Sequence, residues 1–227
     1  MALRRRFVLR SGVASLVVVA GGVGWLSTQT SVTAREPWEA ASKGFNDPRL
    51  NALAYAILAP NPHNTQPWQV QLEGDDAFSL FALRERLLPE TDPPCRQITI
   101  GFGCFLELFR QAAAQQGYET PVDAFPEGEP YPVLDGRPVA RATIKQAQVD
   151  REPLFAYALS RHTERAPFDT ARPVDADTLN RISSMSTPDV QVDCNAEPMK
   201  RARIRQLSTK AWVAEWKNAL TRNGFLL

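Results

Sequence analysis

The sequence has few of the residues that most often carry catalysis or bind metals. Only two histidines and three cysteines occur among its 227 residues. Neither His-Glu-x-x-His, nor Cys-x-x-Cys, nor Gly-x-Ser-x-Gly, nor a P-loop is present. These absences exclude the zinc, thiol-redox, serine-hydrolase and nucleotide-phosphate sites that such motifs would indicate.

The three cysteines, Cys95, Cys104 and Cys194, are too few and too widely spaced for a disulfide framework. They also give no metal-binding pattern, so no metal site is predicted. One bridge between Cys95 and Cys194 could form in an oxidising compartment, but the spacing does not decide it.

Neither sign of charge dominates the chain, because 26 basic residues stand against 25 acidic ones. The balance hides an asymmetry. Residues 1–12 carry four arginines and no acid, and residues 13–34 carry no charged side chain. The remainder, with 22 basic and 25 acidic residues, is slightly negative. It has no broad basic field, and therefore no nucleic-acid partner is predicted.

The basic start resembles an export signal. Arg4-Arg5-Arg6-Phe7-Val8-Leu9 is similar to the twin-arginine motif, and an apolar stretch over 13–25 follows it. That stretch is short for a helix that must cross about 30 Å of hydrocarbon. We predict that residues 1–34 direct export to the periplasm, with a weak cleavage site at 32–34. The alternative is that 13–25 stays as a membrane anchor.

Apolar periodicity predicts both helices and strands. A helix begins at Asp47 and Pro48, ends near Ala59, and turns one face inward, formed by Leu50, Leu53, Ile57 and Leu58. Further helices are predicted over 98–117, over 154–159 with Asp150 as its cap, from Asp175 or Asp177, and over 197–222. Strands are predicted at 68–72, 78–83, 139–144 and 190–192, and an irregular connection at 119–137. Without regular β-α-β alternation, the fold class is α+β.

One segment that stands out joins a predicted helix to a predicted strand. Residues 59–68 read Ala-Pro-Asn-Pro-His-Asn-Thr-Gln-Pro-Trp, with amides and hydroxyls between three prolines. A stiff loop with polar side chains suits the recognition of a planar heteroaromatic ligand. The alternative is a proline-rich turn anchored in the core by Trp68.

A second segment places Arg161 and Arg165 four residues apart, with Thr163 between them. Two guanidinium groups and a hydroxyl could grip a phosphate through charge-assisted hydrogen bonds. The alternative is a solvated helix C-terminus, where cations are favoured in any case.

Together the two segments resemble the Acg family of the FMN-dependent nitroreductase superfamily. The resemblance lies in His-Asn-Thr-Gln-Pro-Trp at 63–68, after an apolar helix, and in Arg-x-Thr-x-Arg-x-x-Phe at 161–168. Residues 86–101 also fit this subgroup, and the similarity extends from about residue 47 to the C-terminus. It implies a nitroreductase-like fold in which two halves are fused as a pseudo-dimer.

The resemblance implies FMN as the cofactor. Arg161 and Arg165 would bind its phosphate and ribityl region, with Thr163 between them. The other segment would line the ring edge through Pro60, Asn61, Pro62 and Asn64. Because a flavin carries the hydride chemistry itself, no catalytic side chain is predicted. NAD(P)H and a small electron-accepting substrate are the further partners implied.

The resemblance also divides the chain into a signal segment (1–34), a first half (35–150) and the start of a second half (151–227). The elements that should complete the second half are missing, so a C-terminal truncation is predicted, with self-association through the incomplete half. Three interpretations stay open: an exported FMN-dependent oxidoreductase, a non-catalytic flavin-binding or flavin-sequestering protein, and an inactive truncated fragment.

Overall fold

The computed structural model describes residues 32–164, 166–188 and 190–218, with side chains from Arg35 onward. The predicted twin-arginine motif and the apolar stretch 13–25 lie outside these ranges. The predicted cleavage site falls at the start of the first described helix. None of the helices within the described ranges has the length and apolar character that crossing a membrane requires.

The described chain alternates irregularly between helices and short strands. The helices are α1 (Val32–Lys43), α2 (Pro48–Ala56), α3 (Arg96–Gln115), α4 (Ala176–Ser183) and α5 (Pro198–Lys217). The strands are β1 (Trp68–Glu73), β2 (Ala77–Ala82), β3 (Tyr118–Glu119), β4 (Val122–Ala124), β5 (Ala140–Thr143) and β6 (Lys145–Gln146). Single 3-10 turns lie at Pro62–Asn64, Arg84–Arg86 and Pro153–Tyr157. The α+β class is confirmed.

Four of the strands form one antiparallel sheet in the order β1-β2-β5-β4. The strands predicted at 68–72 and 78–83 form its first pair, a hairpin whose register places Trp68 opposite Ala82 and Glu73 opposite Ala77. β3 and β6 pair separately. β4 forms within the stretch predicted to be wholly irregular. The sheet therefore contains the hairpin and covers the core from one side.

The core lies between this sheet and the long helix α3. Phe102, Phe105 and Phe109 of α3 are fully buried, and their spacing of three and four residues places them on one helix face. The Phe109 ring meets Phe78 of β2 with a centroid distance of 4.7 Å. The Phe105 ring lies 5.2 Å from that of Trp68 in β1. These contacts fix the end of the proline-rich segment, because Trp68 is its last residue.

The start of α2 was predicted correctly, but its buried face is rotated. The Asp47 side chain accepts a hydrogen bond from the Arg49 backbone N–H at 2.8 Å, and Pro48 is the first helical residue. Leu50, predicted to face inward, is 38% exposed. Small residues let α2 lie close to α3, and the buried positions are Arg49, Ala52, Leu53, Ala54 and Ala56.

Three further local predictions were wrong. The segment 190–192 forms no strand, because Ser186 and Thr187 hydroxyls accept its backbone N–H groups instead. The predicted helix over 154–159 is a 3-10 turn whose cap is Glu152 rather than Asp150, since Glu152 immediately precedes its first residue and accepts from the Leu154 N–H. The last predicted helix was expected to end at Arg222, but α5 ends at Lys217, because the Asn218 backbone is extended.

The cysteines form no disulfide in this structure, so the Cys95–Cys194 pairing is absent. Cys95 is buried at the start of α3, whereas Cys194 lies in the exposed segment before α5. After Ala158, no described residue is buried, and α5 has no buried position. The described part of the predicted second half therefore builds no core of its own.

A buried arginine ties α2 to the hairpin turn. Arg49 is 6% exposed, and its Nη1 donates to the carbonyl oxygens of Glu73, Gly74 and Ala77 at 3.3, 2.8 and 3.1 Å. Its Nη2 lies 2.8 Å from Asp47 Oδ2. The hydrogen bonds that Arg49 donates hold the pKa of Asp47 below its ordinary value.

The ion pair between Asp47 and Arg49 should make the stability of the protein depend on pH. The Asp47→Asn variant keeps a good N-cap but loses the charge. Because the native pKa of Asp47 is lowered, its stabilisation is complete above the ordinary carboxyl pKa and disappears as pH falls through the native pKa. Urea unfolding should show the variant about 1–2 kcal/mol less stable near pH 6. The difference should shrink at about pH 2, and a difference that is constant with pH would contradict the assignment.

Candidate functional site

The proline-rich segment forms a loop with unusual backbone geometry. His63, Asn64 and Gln66 all have positive φ, at 52, 54 and 47°, although none is glycine. Non-glycine residues rarely adopt this conformation, and where they do so together, the surrounding structure must hold them. The Asn61 side chain supplies part of that support, since its Oδ1 accepts from Gln66 N–H at 2.8 Å and its Nδ2 donates to the Ala59 carbonyl at 3.2 Å.

Two elements hold the loop from outside. Arg86 donates through Nη1 to the carbonyl oxygens of Thr65 and Gln66, at 3.3 and 3.0 Å. On the other side, α3 approaches closely at Gly101, where an added Cβ would lie 3.5 Å from both Asn61 Cβ and Pro62 Cδ. The loop is therefore fixed in place, which favours binding over a purely connecting role.

The second segment reaches the same region from the far end of the chain. Leu159 packs against a small cluster formed by Ala41 of α1, Ala54 of α2 and Leu58. Two residues further on, Arg161 Nη2 donates to the Leu58 carbonyl oxygen at 2.7 Å. The two segments therefore meet at the end of α2, although about a hundred residues separate them.

A cleft of about 1010 Å³ lies where they meet, and we call it the Arg161 cleft. Its lining comes from the proline-rich loop, the second segment and α1: Asn64, Gln66, Leu159, Ser160, Arg161, His162, Arg35, Pro37, Trp38 and Glu39. Its volume is at the upper end of the range typical of small-molecule and cofactor sites.

The structure brings together part of the predicted site. Asn64 and Arg161 both line the Arg161 cleft. Pro60, Asn61 and Pro62 belong to the loop behind Asn64 rather than to the lining. Thr163 is exposed beyond the lining, and Arg165 lies outside the described residues.

Sequence reasoning missed the contribution of α1. Trp38 is its largest side chain in the cleft, and Arg35 and Glu39 flank it. No motif covers this helix, and its first three residues overlap the predicted signal segment. The sequence did contain one indication of this helix. Trp38 and Ala41 are apolar and three residues apart, a spacing that places both on one face of a helix. His162 and Gln66 were also missed as lining residues.

Arg161 has unused capacity to bind an anion. Its Nη2 is occupied by Leu58, but its Nε is buried without a hydrogen-bond partner among the described residues. Arg161 lines the cleft, and the positive charge of its guanidinium favours an anionic ligand there. Arg35 adds a second guanidinium, and Glu39 is the one carboxylate in the lining. The cleft therefore favours an anion.

The other polar groups of the cleft suit a neutral, hydrogen-bonding part of a ligand. Asn64 and Gln66 provide amides. The His162 ring is exposed, and its Nδ1 lies 3.1 Å from the Ser160 carbonyl oxygen. Among the described residues, no group of three or more side chains could hold a metal ion. The arrangement suits a ligand with an anionic end and a larger, partly apolar body.

Comparison with known proteins gives relatives but no family model, since none matches the chain. The chain is 33% identical over 157 residues to "Putative NAD(P)H nitroreductase acg" of Mycobacterium tuberculosis, a match that covers 66% of this chain and 44% of that protein. It is 30% identical over 128 residues to "Uncharacterized protein Rv3127" of the same organism, covering 53% of this chain and 35% of that protein. "Putative NAD(P)H nitroreductase Rv3131" is 33% identical over 75 residues, covering 33% and 22%.

Over part of its length the chain is therefore similar to proteins named as nitroreductases, and its mixed α+β fold is consistent with that similarity. More narrowly, it is related to the Acg-like nitroreductase family, which confirms the resemblance carried by the two motif segments. The chain spans less than half the length of the curated relatives it matches. The fused pseudo-dimer therefore stays a prediction.

Proposed function

We propose that this chain is an FMN-binding oxidoreductase of the nitroreductase type. The observation that carries the proposal is the meeting of Asn64 and Arg161, from two separate motif segments, in one cleft of cofactor size. The names of two similar proteins as NAD(P)H nitroreductases support the same activity.

The residues of the cleft match the chemistry of FMN, which joins a dianionic phosphate to a flat ring system. Arg161 would bind the phosphate, because it lines the cleft and a guanidinium pairs with phosphate through charge-assisted hydrogen bonds. Arg165, four residues further along the chain, is the second residue that we propose binds the phosphate. Asn64 and Gln66 would hydrogen-bond the polar edge of the ring or the ribityl hydroxyls, since amides both donate and accept.

When bound, the flavin supplies the hydride chemistry. The protein's part is to hold the cofactor in a fixed orientation, and the rigid loop at 61–66 serves that purpose. NAD(P)H is the proposed electron donor, and a small nitroaromatic compound is the proposed acceptor. No side chain is assigned a proton-transfer role.

We further propose that the protein is exported by the twin-arginine route, on the basis of the Arg4-Arg5-Arg6-Phe7 sequence. This route carries folded proteins, including those that already hold a cofactor. A reporter fused to residues 1–34 should reach the periplasm only while Arg4, Arg5 and Arg6 are intact. Transport of a triple-lysine version at the same level would contradict the proposal.

The activity can be tested on the full chain. After incubation with FMN and removal of free flavin, we expect the visible absorption bands of flavin to stay with the protein. NAD(P)H should then be oxidised faster when a nitroaromatic compound is added. Bound flavin without turnover would favour the flavin-sequestering alternative, whereas no bound flavin would contradict the proposed function.

A further inference from the structure

We infer that Trp38 of α1 contacts the flat ring of the ligand in the Arg161 cleft, which makes α1 a wall of the binding site. The inference rests on the proposed function, because it concerns the same cleft. α1 precedes both motif segments, and neither of them includes any of its residues. What places it at the site is therefore the packing of the folded chain.

Trp38 is positioned through its neighbour on the same helix face. Ala41, three residues later, is 2% exposed and packs with Ala54 and Leu58 of the small cluster. Residues three apart on a helix lie on one face, so docking Ala41 onto the end of α2 also directs Trp38 toward that end. Trp38 lines the cleft there and is 37% exposed.

One residue supports both sides of the cleft. The Leu58 side chain packs against Ala41, which positions Trp38, and the Leu58 carbonyl oxygen accepts the hydrogen bond from Arg161. An indole and a guanidinium are thus held at one cleft by a common support. A ligand that matches both has a planar aromatic part and an anionic part, because indole stacks on flat rings and guanidinium pairs with phosphate.

The charges around Trp38 agree with this division of the cleft. Arg35 and Glu39 lie on either side of it in the sequence, and both line the cleft, so their charges offset each other near the indole. Pro37 and Leu159 add apolar surface to the lining. The anion-binding capacity therefore belongs mainly to Arg161, while the surface around Trp38 is suited to an uncharged ring.

The test compares four variants with the wild-type chain: Trp38→Ala, Trp38→Phe, Arg161→Gln and Trp212→Ala. Trp212 stacks on Trp216 in α5 at 5.7 Å and does not line the cleft, so its loss is a matched control for removing a tryptophan. Each protein is titrated with FMN and with riboflavin. Flavin fluorescence reports binding, and tryptophan fluorescence reports the contact. Circular dichroism checks that each variant is folded.

We expect Trp38→Ala to weaken the binding of both flavins by about tenfold or more, because the lost contact is with the shared ring. Trp38→Phe should retain most of the affinity but lose the quenching of tryptophan fluorescence. Trp212→Ala should keep both affinity and quenching. Arg161→Gln should act mainly on FMN, which separates the ring contact from the phosphate contact.

The outcomes separate the contact between Trp38 and the flavin ring from the proposed binding of FMN itself. If the wild type binds FMN and the folded Trp38→Ala variant binds both flavins equally well, the inference is overturned and the proposed function stands. Quenching that persists undiminished in Trp38→Phe also overturns the inference. If the wild type binds no flavin, both are overturned.

Discussion

Replacing Arg161 with glutamine should weaken FMN binding by about 100-fold, while riboflavin binding changes far less. The reason is that Arg161 lines the cleft with a positively charged guanidinium, and only FMN brings a phosphate that can pair with it. Removing one member of a desolvated charge pair typically costs 2–5 kcal/mol or more, so about 100-fold is a moderate expectation. Equilibrium titration followed by flavin fluorescence measures both ligands.

The Arg161→Gln result needs a control for lost support, because Arg161 also donates to the Leu58 carbonyl oxygen. Arg161→Lys keeps the charge but cannot present the guanidinium fork, so it should recover only part of the FMN affinity. Arg110→Gln, at an exposed site on α3, should change neither ligand. An equal loss for FMN and riboflavin would show that Arg161 supports the cleft without binding phosphate.

The second large effect is expected on stability. Arg49→Met should lower the free energy of unfolding by about 3–5 kcal/mol, because it removes the ion-pair partner of Asp47 and the donor to three backbone carbonyls. The substitution keeps a long apolar stem, so the loss is mainly electrostatic. Urea unfolding near neutral pH measures it.

Arg110 again provides the control. Its ion pair with Glu107 has a similar N–O distance, 2.7 Å, but both side chains are about half exposed. Arg110→Met should therefore cost less than about 1 kcal/mol. If the two variants lost the same stability, burial of Arg49 would not be the source of its effect, and the link between α2 and the hairpin would be weaker than the geometry indicates.

Strong local patterns made part of the fold predictable. The hairpin follows from the alternation over 68–72 and the turn residues 74–76 before a second strand at 78–83. α3 follows from phenylalanines spaced three and four apart. The face of α2 was harder to predict, because alanines and a buried arginine occupy it while Leu50 points outward. Hydrophobicity alone cannot anticipate an arginine buried by carbonyl oxygens from a hairpin distant in the sequence.

In the candidate site, too, local sequence predicted some features, and tertiary packing determined the others. The motif segments correctly indicated Asn64 and Arg161 as lining residues. They did not indicate that the Asn61 amide is hydrogen-bonded within the loop and stabilises its conformation. Nor did they indicate α1, since Trp38 reaches the cleft through the packing of Ala41 on α2. Local sequence reveals the chemistry of a segment, whereas tertiary packing decides which side chains face the same space.

The most direct test of flavin binding in the Arg161 cleft is an equilibrium titration of the full chain with FMN, with riboflavin as the matched ligand that lacks the phosphate. We predict saturable binding of one FMN per chain, and weaker binding of riboflavin, because the Arg161 cleft joins an anion site to a ring site. The absence of saturable FMN binding by the folded chain would contradict it.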